Sequence, residues 1–255
     1  MVDTRGINVW CAAGKGTFST EEIAFQVQNA QLNKVVSHRE LILPQLSANG
    51  VAAHSIKKLC GFKGKFGPIL SSMLPEFLKN GKATEKMQTV TFTLRERVVL
   101  IPLEICTLWK QLFIVCTLFL VLSGITPEIF SAKTALIRSA TLLAATFAAI
   151  LSGAIATPLL LPWIPFRQFW LKGAGLGALA AAMFLFQFAP GSGLMEKTSL
   201  FLWITGCSSY LAMNFTGSTP FTSLSGVEKE MRKGLPFQIG AAIVAVILWM
   251  ASPFM

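Results

Sequence analysis

The stretch NVWCAAGKGTF, residues 8–18, sets one cysteine, Cys11, between Trp10 and the small residues Ala12, Ala13 and Gly14. A thiolate is a nucleophile and a soft metal ligand. As a nucleophile, Cys11 would need a basic partner, and the chain has only His38 and His54. Each also reads as an ordinary polar residue, one at a strand end and one on a helix face. The other cysteines are Cys60, Cys106, Cys116 and Cys207. No CxxC pair occurs and the last three fall in apolar runs, which argues against a disulfide framework and a cysteine-only zinc site and fits a reducing compartment. Gly14-Lys15-Gly16-Thr17 is close to a phosphate-binding loop, but GxxxxGK followed by Ser or Thr fails, because Val9 stands where the first glycine belongs and Gly16 follows Lys15. What remains is a thiol among small residues that would let a flat ligand approach the backbone. Composition alone favours a small buried hydrophobe at Cys11 over a ligand.

The elements that must position this motif alternate. GINVW reads as a strand leading into it. Ser19 and Glu22 have capping-box spacing, which predicts a helix to about residue 31. Residues 34–37 read as a short strand, and ELILPQL as an extended segment broken at Pro44. VAAHSIKKLC reads as a helix from Val51 ended by Gly61, FKGKFGPI as a strand or loop, and SSMLPEFLKNG as a short helix. Strand–helix alternation predicts an α/β layer with a largely parallel sheet.

From about Val98 onward, long apolar runs take over. The expected organisation is an α/β domain over residues 1–97 followed by an all-α membrane domain over residues 98–255. Five transmembrane helices are expected at about residues 112–125, 135–161, 170–188, 199–213 and 237–250, the last two short. Residues 98–110 could instead lie in the membrane interface as an amphipathic helix. Arg167 and Lys172 after the second span, and Lys229, Arg232 and Lys233 after the fourth, place those loops and the N-terminal domain on the cytoplasmic side of an inner, cytoplasmic membrane. Gly173 and Gly177 form a GxxxG pair that predicts close helix packing. Residues 214–234 read as a Ser/Thr/Gly-rich loop that turns charged, either a solvated connector or a contact surface. No predicted span carries a central carboxylate or histidine, so an anchor or docking platform is expected rather than an ion pathway.

Bulk composition agrees: of 255 residues 53% are hydrophobic and 13% charged, against roughly a quarter charged in soluble domains. The net charge of +10 fits basic residues beside membrane spans. The soluble part lacks the interleaved aromatics of a single-strand binder, so no nucleic-acid partner is expected.

The run NVWCAAGK closely resembles the cap-helix motif of the mercury-methylating corrinoid protein family. VVSHRELILPQLSANGVAAH and NFTGSTPFTSLSGVEKEM resemble later segments of that family, so the resemblance covers essentially the whole chain. It implies a partial Rossmann-like corrinoid-binding domain, N-terminally incomplete, because family members carry a sizeable stretch before this point. It implies a cobalamin-type corrinoid bound with its own base displaced and Cys11 as the lower axial thiolate of cobalt. The cofactor-binding set implied is Asn8, Val9, Trp10, Cys11, Ala12, Ala13, Gly14 and Lys15. The activity implied is corrinoid-dependent methyl transfer to Hg(II), forming methylmercury. The implied partners are a ferredoxin-like redox protein with two 4Fe–4S clusters, a methyl donor protein or methyl-tetrahydrofolate system, and membrane lipid. Related corrinoid iron–sulfur carriers of the acetyl-CoA pathway lack the cysteine, so Cys11 favours mercury chemistry. Two other readings stay open: a methyl carrier of one-carbon metabolism with the same cofactor, and a non-catalytic membrane fragment or scaffold.

Overall fold

The structure, a computed structural model, describes residues 9–127, 129–217 and 224–255. The chain divides into two units, Met1–Thr91 and Phe92–Met255. The break precedes the expected one at 97/98 because a helix starts at the junction. Thr93 and Glu96 form a capping box: Glu96 accepts from the Thr93 backbone N–H (2.6 Å) and Thr93 Oγ1 from the Glu96 N–H (3.5 Å). Arg97 belongs to the second unit, buried, donating to the Pro158 and Leu159 carbonyls at 2.7 and 3.1 Å.

The first unit runs α1 (Val9–Gly14), α2 (Thr20–Asn29), α3 (Leu32–Val35), β1 (Glu40–Leu43), α4 (Ala53–Cys60), β2 (Lys63–Phe66), α5 (Leu74–Asn80) and α6 (Glu85–Gln88). Ser19 caps α2 by accepting from the Glu22 N–H at 3.2 Å. The Glu22 carboxylate accepts from Gln26 instead (2.9 Å), so the spacing yields half of the reciprocal box. Gly61 and Gly81 end α4 and α5 in the left-handed region, with φ of 78° and 67°. β1 and β2 pair in parallel, Glu40 with Lys63 through Leu43 with Phe66, and α4 is their crossover. The described sheet of this unit is thus one βαβ unit of two strands. A core of Ala12, Phe18, Ile23, Val27, Leu43, Val51, Ile56 and Phe62 fills the space beneath it.

Two predicted strands are helices. Residues 34 and 35 close α3, because the chain turns at Gln31 in the left-handed region (φ 46°) and the Lys34 N–H bonds back to the Gln31 carbonyl at 2.8 Å. Val9 and Trp10 open α1 rather than ending a strand; the rest of that predicted strand lies outside the described residues.

The second unit is helical apart from a minimal hairpin, β3 (Ile125–Thr126) with β4 (Ile129–Phe130). Its helices are α7 (Leu94–Thr107), α8 (Trp109–Ser123), α9 (Ala132–Ile150), α10 (Thr157–Leu160), α11 (Phe169–Phe188), α12 (Leu194–Gly217) and α13 (Leu224–Ala251). A π-helical turn, Leu151–Ala156, joins α9 to α10. Pro158, just beyond it, has no N–H to give a regular i→i−4 ladder. Thr157 Oγ1 donates to the Ser152 carbonyl at 2.8 Å there.

Three helical stretches among the described residues are long and apolar enough to cross a membrane: Ala132–Leu160, Phe169–Phe188 and Ser225–Phe254. Counting α7 and α8, bent by 48°, as one broken span raises the number to four. The expectation of five therefore fails, and at α12. That helix is long, but Ser199, Thr205, Ser208, Ser209 and Asn214 dilute its hydropathy. Its polar groups serve packing instead. Ser199 donates to the Ala245 carbonyl (2.7 Å), Ser208 to that of Gly173 (2.8 Å) and Ser209 to that of Trp170 (2.9 Å). The predicted glycine seam is real. A Cβ on Gly177 would meet the Ser208 side chain at 2.7 Å, and Cβ atoms on Gly153 and Gly173 would strike the Ser208 backbone. Ser208 thus lies against three glycines, with no room for any other residue at those positions.

The predicted 214–234 loop is mostly helix. α12 runs to Gly217, α13 starts at Leu224, and residues 218–223 lie outside the described residues. Lys229, Arg232 and Lys233 are exposed on α13, and Glu230 is buried. The Glu230 carboxylate accepts from the Phe169 and Trp170 N–H groups at 2.9 and 3.3 Å, so it caps the N-terminus of α11 from a neighbouring helix. Lys172, expected in a loop, is buried in α11, where its ammonium donates to the Leu161 carbonyl.

Candidate functional site

α1 has two faces. Trp10, Ala12 and Ala13 are buried and Val9 packs against the core, while Gly14 and Lys15 are exposed and Cys11 is half-buried. At 100° per residue, Cys11, Gly14 and Lys15 share the outward arc. Cys11 and Lys15 lie one turn apart, the Lys15 N–H bonding to the Cys11 carbonyl at 2.9 Å. The small residues of the motif therefore turn inward: Ala12 and Ala13 let the helix sit down on its unit, and the thiol and the ammonium belong to the other side.

Three contacts fix the helix. The Phe18 N–H and Thr17 Oγ1 both donate to the Ala12 carbonyl, at 3.1 Å each, and fold the following turn under it. Asn49 Nδ2 donates to the Trp10 carbonyl at 3.3 Å. Gly50 passes so close to the Ala13 backbone that a Cβ there would overlap the Ala13 carbonyl. Asn49 and Gly50 are positioning residues that motif reading missed. Their only sequence signal is an Asn-Gly pair, which marks a turn and says nothing of what packs on it.

The other sequence candidates do not converge on Cys11. His38 is exposed, its Nδ1 accepting from the Glu40 N–H at 3.4 Å, and His54 is exposed on α4. Cys60 donates to the Ile56 carbonyl at 3.4 Å and packs against the core. Asn8 lies outside the described residues. No three His, Cys, Asp or Glu side chains stand together as a metal-ligand group among the described residues, and Cys11 is the soft donor that α1 itself carries. Cys11 lines neither of the roomier cavities. One, of about 410 Å³, lies between Val27, Lys34, Cys60 and Phe62, and the other, of about 290 Å³, lies within the second unit.

Comparison with protein-family models, with curated proteins and with solved structures gave no match.

Proposed function

We propose that the chain is a membrane-associated corrinoid protein that transfers a methyl group to Hg(II), forming methylmercury, with Cys11 as the lower axial thiolate ligand of cobalt. One observation supports this above the others: α1 presents Cys11 outward from a helix whose opposite face, Trp10, Ala12 and Ala13, is set in the core. In this reading the βαβ unit is part of a Rossmann-like corrinoid domain on the cytoplasmic side. The bound corrinoid supplies the methyl-carrying cobalt chemistry.

The chain's own residues do the rest. Cys11 offers a soft thiolate, suited to a transition metal. Ala12, Ala13 and the Gly50 contact seat α1 on the first unit and would hold Cys11 in place toward a bound corrinoid. Lys15, a turn along the same face, would offer its ammonium to a polar group of a bound corrinoid. A ferredoxin-like 4Fe–4S protein is the proposed reductant, and a methyl donor protein or methyl-tetrahydrofolate system the proposed methyl source. The helical unit anchors the assembly in the lipid.

The test is anaerobic expression of the full chain with corrinoid, comparing Cys11→Ala with the parent. The parent should bind corrinoid with an absorption spectrum that changes on Cys11→Ala, and only the parent should form methylmercury. Equal methylmercury from both chains would sink the thiolate role, and absence of corrinoid binding by the parent would sink the whole reading.

A further inference from the structure

The cavity of about 290 Å³ in the second unit lies between α8, α9, α12 and α13, and none of the described residues that line it is charged. Its two ends differ. Gln111, Tyr210, Asn214 and Gln238 gather towards the start of α8 and the end of α12. Val115, Trp203 and Ala242 mark the other end. The helix pairing sets this polarity. Gln238 donates to Ser209 at 2.9 Å, while Trp203 stands level with Thr146 and Phe119 further along the bundle. At the Trp203 end the polar groups are already satisfied: Trp203 Nε1 donates to Thr146 Oγ1 (3.0 Å), which donates to the Leu142 carbonyl (2.8 Å). At the other end Gln238 is buried, and its Oε1 has no hydrogen-bond partner among the described residues.

We infer that this cavity is a binding site for an uncharged amphiphile with a hydrogen-bond-donating head and an apolar tail, the head among Gln111, Asn214 and Gln238 and the tail toward Trp203. The absence of charge in the wall argues against a phospholipid headgroup, since an ion there would lose its hydration without a counter-charge. Apolar walls with a few convergent polar groups, at close to this volume, are the usual form of a small-ligand site. α8 and α13 turn Phe113, Ile114, Ile239 and Ile243 outward beside it, which suits entry from a bilayer. The inference rests on the helical unit lying in a membrane and is independent of the corrinoid reading.

Direct binding of tritiated farnesol to the purified full chain in detergent tests it, with competition by unlabelled farnesol and by its methyl ether, which lacks the donor. Farnesol should compete at least about fivefold better than the ether, the worth of one net hydrogen bond. Gln238→Leu should erase that preference while leaving ether competition in place. Ala242→Phe, which fills the tail end, should abolish binding of both. Equal competition by alcohol and ether in the parent, or unchanged preference in Gln238→Leu, would overturn the proposal, as would saturable binding by Ala242→Phe. Extraction of the chain from membranes by alkaline carbonate would instead overturn the membrane reading on which it stands.

Discussion

Both units are held together where a glycine lets two backbones meet, but they use the device differently. In the first unit a single glycine, Gly50, lets one six-residue helix settle on a loop. In the second, Gly153, Gly173 and Gly177 surround one residue, Ser208, of a central helix. The helical seam is redundant and is reinforced by serine hydroxyls bonding to carbonyls of neighbouring helices. The α1 seat is smaller, one glycine contact with the Asn49 hydrogen bond beside it, and a helix that short depends on its packing. The same small-residue chemistry therefore builds a framework in one place and sets the height of a single side chain in the other.

That contrast can be broken most sharply at the thiol. On the proposed function, Cys11→Ala should abolish methylmercury formation while the chain still folds, read as a retained cooperative thermal transition. Next in size is the seam. Gly173→Leu forces a side chain into Ala212 and Ser208 and should cost at least about 1–3 kcal/mol from overpacking, read as a lowered denaturant midpoint for the helical unit with hydrogen exchange over residues 9–14 unmoved. Gly50→Ala should show the reverse pattern. Its overlap with Ala13 should lift α1, giving faster hydrogen exchange over residues 9–14 and, on the proposed function, weaker corrinoid uptake, with the helical unit's unfolding unmoved. Unaltered exchange there would show that α1 is not seated by Gly50. Ser208→Ala removes one buried hydrogen bond and should cost about 1 kcal/mol. Ser19→Ala removes the α2 cap and should cost a similar amount, about 1 kcal/mol, measurable as reduced helix protection in α2 alone.

Local chemistry was legible wherever one residue decides the outcome. Ser19 as a cap, Gly61 as a helix stop and the Gly173/Gly177 seam all follow from side-chain size or a single hydrogen bond. Reading failed where tertiary packing overrides composition. Lys34 and Val35 have strand-like neighbours, yet a left-handed Gln31 winds them into α3. Residues 199–213 read as a membrane span, yet the polar residues of α12, whose serine hydroxyls bond to carbonyls of neighbouring helices, keep it out of the spans. The charged segment around Glu230 looked like a solvated loop, and only the structure reveals that its carboxylate caps another helix. For the candidate site, the motif pointed to Cys11, but the two-faced burial of α1 and its Gly50 seat are long-range facts.

The π-helical turn at Leu151–Ala156 makes α9 a phase shifter. One surplus residue within a helix rotates everything after it by about 100° relative to everything before it. Upstream, Leu142 and Ala145 face the core with Phe119; within the turn Gly153 lies against Ser208, and beyond it the Pro158 carbonyl meets Arg97. A helix of uniform pitch could not meet both sets of neighbours with these residues. Deleting a single residue there would leave hydropathy untouched and still turn the far end of the span away from its partners, so in this bundle residue count is as strict a constraint as residue type.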